Sequence, residues 1–198
     1  MTMPSEENRQ TAVKDPVTRE ELHFRRIDMR GFRRSDGLFE IEGRVVDRKP
    51  GGFNPRFGRS VPANQPIHDL GVRLVFDKQL VVLEVETFTD AAPHAACPEG
   101  GRALQAIKGA RMSSGWAKEV RSRLGRAASC THLAEILIPL ATAAFQSVAA
   151  ERMNEPDPVD HEGRPLKIDS CYAYAAHGDL VKLRWPAFHR HAESEGQP

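Results

Sequence analysis

The side chains in this sequence whose types and settings invite chemistry are two cysteines, a histidine–aspartate pair and one further histidine. Cys97 stands in Pro93-His94-Ala95-Ala96-Cys97-Pro98, and Cys130 in Ser129-Cys130-Thr131-His132, directly ahead of a long apolar-striped segment. If that segment is a helix, Cys130 lies at its N-terminus, where unpaired backbone N–H groups and the positive dipole end favour thiolate. A thiolate is both a nucleophile and a metal ligand, and His132 is a candidate base beside it. His68-Asp69 offers nitrogen and oxygen donors just before a β-rich run. The competing reading of each thiol is inert packing, because free cysteine is among the most buried residue types. For His132 it is a helix-start side chain pointing to solvent. Cys171, inside a run that reads as strand, is expected in the core.

Periodicity supplies the elements that must position these groups. Leu38 to Asp47 alternates in part and reads as a strand. Arg48 to Pro66 is rich in Gly and Pro and reads as a long loop, a class that is often functional or mobile. Leu70–Asp77 and Leu80–Phe88 flank a tight turn near Asp77-Lys78 and read as a hairpin. Together the three runs predict a three-stranded antiparallel meander. Its second strand begins where its third ends, which brings His68, Asp69 and Cys97 to one end of the sheet.

Gly100 to Lys108 reads as a short helical stretch. Ser113 to Leu124 reads as a helix capped by Ser113 or Ser114 and closed by Gly125. From Thr131 to Arg152, Leu133, Ile136, Leu137, Leu140, Ala141, Ala144, Phe145 and Val148 recur at three and four, the stripe of a packed helix, with Pro139 expected to kink it or start a new turn. Leu166–Ala175 and Leu180–Trp185 flank His177-Gly178-Asp179 and predict a C-terminal hairpin. The fold class is α+β, with helices on one face of the meander. Residues 1–20 read as a disordered arm, 21–186 as a single α+β domain, and 187–198 as a disordered tail.

Composition narrows the function classes. The formal charge is +1, so no whole-protein field points to nucleic acid or membrane. No run reaches the roughly 18 consecutive apolar residues of a bilayer span, and the polar start lacks a signal peptide's apolar stretch. Three cysteines in such a chain argue for free thiols or ligands over a disulfide framework, and for the cytoplasm. Phosphate loops, dinucleotide fingerprints, paired CxxC and HExxH are all absent from the sequence. Five arginines between Arg25 and Arg34 read as a solvated face or protected edge strand, or else as a site for a phosphate-bearing ligand or a partner's acidic patch.

The run from Gly37-Leu38-Phe39-Glu40-Ile41-Glu42-Gly43, through Ile67-His68-Asp69 and Ser114-Gly115-Trp116, to Cys130-Thr131-His132-Leu133 resembles a bacterial family known only as a domain of unknown function. That likeness covers Arg25 to Phe145. Residues 67–148 also resemble, in order and spacing, the iron–sulfur scaffold fold of the IscU, SufU and NifU N-terminal type. There a Cys-Gly-Asp opens a strand, a second Cys ends the hairpin, and a third starts the terminal helix. His68-Asp69, Cys97 and Cys130 fall at those places, with His replacing the first cysteine.

The resemblance implies a metal site of His68, Asp69, Cys97 and Cys130. Such a mixed set suits zinc better than a labile cluster, with iron the other candidate. The function expected is metal or sulfur handling, or a small metal-assisted reaction, with a small-molecule or protein partner. Two alternatives stand beside it. One is a metal-free thiol enzyme with Cys130 or Cys97 as nucleophile and His68, His94 or His132 as base, and the other is a non-catalytic binding module that holds an acidic partner with the Gly/Pro loop and the Arg25–Arg34 cluster.

Overall fold

The structure, a computed structural model, describes residues 17–153 and 155–190. Four strands form one sheet in the order β1 (Phe24–Arg33), β2 (Phe39–Arg48), β3 (Pro66–Phe76) and β4 (Val82–Ala91), every neighbouring pair antiparallel. Strand β2 alternates as a half-buried strand must. Phe39, Ile41, Gly43, Val45 and Asp47 face inward, while Glu40, Glu42, Arg44 and Val46 face the other way. The turn between β3 and β4 is built by Asp77, whose carboxylate accepts the Gln79 and Val81 backbone N–H groups.

The expected meander of three strands is therefore one strand short. The missing one, β1, lies in the arginine-rich segment. As an edge strand it is exposed along most of its length, so it has no buried alternation by which to recognise it.

Three helices follow: α1 (Cys97–Arg102), α2 (Trp116–Leu124) and α3 (Thr131–Arg152), with a 3-10 turn at Ala103–Ile107. Helix α3 buries Leu133, Ile136, Leu137, Leu140, Ala144 and Val148 of the expected stripe, leaves Ala141 half-buried and Phe145 exposed, and runs through Pro139 as one element. Gly43, in the middle of β2, allows the close approach, since a Cβ there would stand 3.0 Å from a Leu140 methyl. The Trp116 indole N–H donates to the Leu137 carbonyl at 2.7 Å, which fastens α2 to α3 inside the core. By length and composition α3 is apolar enough to cross a membrane, but six of its apolar side chains are buried in this unit.

The chain divides into two compact units, Met1–Val148 and Ala149–Pro198. The second has its own small core of Ile168, Ala176 and Val181. The hairpin expected there is absent, and the segment instead forms α4 (Asp179–Arg184) between 3-10 turns at Tyr172–Tyr174 and Pro186–Phe188. The physical reason lies in Gly178-Asp179. An acid in the first turn and Lys182 and Arg184 in the last suit a helix dipole, and Val181 alone is buried. Asp169 closes the preceding loop by accepting the Ala176 N–H. Cys171, expected in the core, is exposed. Of the terminal arms, residues 1–16 and 191–198 lie outside the described residues.

Candidate metal centre

Strand register builds the site. Asp47, the last inward position of β2, stands directly opposite Arg25 of β1 on one side and His68 of β3 on the other. Helix α3 then brings its second residue, His132, over the same corner. Three elements thus converge on a carboxylate of a fourth, the only charged side chain buried among the described residues.

Arg25 grips Asp47 with two parallel bonds, Nε to Oδ1 at 2.7 Å and Nη2 to Oδ2 at 2.8 Å. His68 Nδ1 lies 3.1 Å from Oδ2, His23 Nε2 3.2 Å from Oδ1, and His132 Nε2 3.8 Å from Oδ2. The His68 and His132 rings face each other with centroids 4.0 Å apart. At the rim Glu135 approaches the other Arg25 nitrogen at 3.8 Å.

These neighbours set the protonation states. Burial pushes the Asp47 carboxyl up, but the Arg25 hydrogen bond and charge, helped by His68 and His23, outweigh it and hold the group below the usual carboxylate range. Burial lowers His68, as does the nearness of His132, against the opposing pull of Asp47. Burial likewise lowers His132, followed by the charge of Arg25. Near neutral pH the corner therefore holds an ionised carboxylate and two neutral imidazoles, the forms in which these groups ligate metals.

One donor atom each from Asp47, His68 and His132 lies within 4.8 Å of the other two. A tetrahedral zinc site with bonds of about 2.0–2.1 Å separates its donors by about 3.3 Å. The 3.1 and 3.8 Å spacings to Asp47 Oδ2 bracket that value.

Of the four ligands expected from sequence, only His68 belongs to this corner. Asp69 is excluded by the two-residue period of a strand, which turns it to the open face. There it binds Arg44 at 2.6 Å. Cys97 opens α1, the helix packed along β4, rather than trailing from the strand. Cys130 lies with its backbone against that same helix, its N–H donating to the Gly100 carbonyl at 3.0 Å, and its side chain packs on the core. Neither thiol hydrogen-bonds a histidine among the described residues.

His132, expected as the base for Cys130, is instead a partner of His68 and Asp47. Sequence reasoning missed Asp47, Arg25 and His23. A signal for Asp47 was present, since it continues the inward parity of Phe39, Ile41 and Val45, and a charge on a buried parity calls for a partner.

Residues 23–146 match the family described as "Protein of unknown function (DUF2889)". The chain belongs to this family. The matched span holds Asp47, His68, His132 and Arg25, and His23 is its first residue. No curated protein and no solved structure matches the chain, and the resemblance to iron–sulfur scaffolds finds no support.

Proposed function

We propose that this member of the unknown-function family is a cytoplasmic metal-binding protein. It holds zinc or iron(II) through Asp47, His68 and His132 and uses the ion for a small metal-assisted reaction. The observation that carries the reading is the set of three donor atoms within 4.8 Å of one another, contributed by three separate elements around a buried carboxylate. Two imidazoles and one carboxylate leave coordination positions open for water or substrate, the pattern of catalytic zinc and non-haem iron sites. Arg25 and His23 would then orient Asp47 from behind, as outer partners do in metal sites. The three unpaired cysteines fit a reducing compartment. With neither thiol at this corner, sulfur handling loses its footing and a metal-assisted reaction is the better reading.

One observation favours a second reading. His68 Nδ1 faces Asp47 at hydrogen-bond distance, which fixes the ring and leaves Nε2 as a metal-free general base. Elemental analysis of untagged protein purified without chelator separates the two. The metal reading expects about one zinc or iron per chain, lost in His132→Ala and retained in Cys130→Ser. Protein that carries no metal and binds neither Zn(II) nor Co(II) in titration would overturn it and leave the His–Asp pair.

A further inference from the structure

The two edges of the sheet are finished differently. Along β4 the chain covers its own edge. The Val82 N–H donates to Ala110 and its carbonyl accepts from Gly109, at 2.9 and 2.8 Å, while Met112 N–H donates to Leu80 and the Gln105 side chain to the Val85 carbonyl. Along β1 no described residue does so. Its ten residues all pair with β2, and among the described residues no other backbone hydrogen bond reaches the strand. A ten-residue strand with one bare side is a template for another strand.

The side chains on that edge point to what would bind it. Phe24-Arg25-Arg26-Ile27-Asp28-Met29-Arg30-Gly31-Phe32-Arg33 holds four arginines against one aspartate. Protection by charge alone would explain the arginines. It does not explain Phe24, Ile27 and Phe32, each more than two-fifths exposed on the same strand. Arg26 is held by Asp28, whereas Arg30 makes no ion pair among the described residues. On the open face Phe24, Arg26, Asp28 and Arg30 form one wall of a concavity of about 840 Å³.

We propose that the free edge of β1 docks an extended acidic segment of a partner protein, which joins the sheet as a fifth strand. Backbone hydrogen bonds supply the pairing, as in other strand additions. Acidic side chains beside Arg30 supply the charge match, and apolar ones cover Phe24 and Phe32. A second copy of this chain offers no charge match, because two β1 strands laid antiparallel over their full length set Arg25 against Phe32, Arg26 against Gly31 and Arg30 against Ile27, with no acid opposite an arginine.

The test uses the full chain, stripped of metal by chelator so that it is independent of the metal reading, and a fluorescent peptide of alternating Glu and Val. The expected result is saturable binding by anisotropy, with new amide-exchange protection in residues 24–33. Arg30→Gln should weaken binding, and Arg30→Glu should do so by about fivefold or more. Arg30 is exposed, and circular dichroism checks that both variants fold. An alternating Lys/Val peptide should not bind. Four results would overturn the proposal: no binding of the acidic peptide, equal binding of a helical Glu/Ala peptide, protection elsewhere in the chain, or a dimer of the protein with its own β1 edge protected.

Discussion

On the helix-covered face of the sheet Arg25 grips Asp47, and on the open face Arg73 grips Glu42 and Glu86 with similar distances, all between 2.7 and 2.9 Å. The chemistry is the same and the setting is not. The Asp47 side chain is 3% exposed, whereas Arg73, Glu42 and Glu86 are 40%, 31% and 67% exposed. In water such pairs gain little because solvent competes for both ions. Under α3 the carboxylate has lost its water, so its partners decide whether it can stay ionised at all. The comparison separates an ionic corner that its neighbours must hold together from an ionic surface that solvent would support anyway. The side chains suited to ligate a metal lie in the first of these.

The largest effect should come from removing the cation at the covered corner. Arg25→Ala strands a buried carboxylate that retains only imidazole contacts. It should destabilise the metal-stripped protein by about 3 kcal/mol, the low end for breaking one side of a buried pair. The low end applies because Arg25 itself is part-exposed. Urea unfolding measures this, and a change under about 0.5 kcal/mol would mean that water reaches Asp47 and that the two faces do not differ.

Acid should distinguish the faces next. His68 and His132 are both lowered in the fold. Below the ordinary imidazole value of about 6.5 the unfolded chain therefore binds more protons than the folded one. Stability should then fall as pH drops from about 6.5 through the lower folded values. It should be flat on this account above that window. Asp47, also lowered, adds stability above its unfolded value and loses it only at more acid pH. The expected curve for stripped protein has two acid steps, and His68→Ala with His132→Ala should erase the upper one. A stability profile unchanged by both substitutions would place the imidazoles in solvent.

These contrasts also explain what could be read from the sequence. Strands β2, β3 and β4 announced themselves because each has a buried face to alternate with, and the α3 stripe did so for the same reason. Strand β1 has almost no buried face, so its arginines hid it, and with it went Arg25 and His23. His68 was legible as a candidate ligand, but its partners are set by cross-strand register and by where α3 lands. Asp69 looked like its companion because it is adjacent in sequence, and in a strand adjacency means opposite faces. The cysteines drew attention by chemical type, yet Cys97 opens α1, and Cys130 ties its backbone to that helix and packs its side chain on the core.

The smallest effect should come from the open face, and it sets the baseline for the others. Arg73 reaches Glu40, Glu42 and Glu86, so by count of partners it is better connected than Arg25. If partners alone mattered, Arg73→Gln would be the costlier change. Exposure argues the reverse. Each ion can be rehydrated when its partner leaves, and three long side chains regain rotamer freedom. Arg73→Gln should therefore cost no more than about 1 kcal/mol, with most of that gone in high salt. It should leave metal stoichiometry unchanged, because the sheet itself separates it from Asp47. A loss as large as that of Arg25→Ala, insensitive to salt, would show that the open face is covered in solution and that burial does not distinguish the two sides.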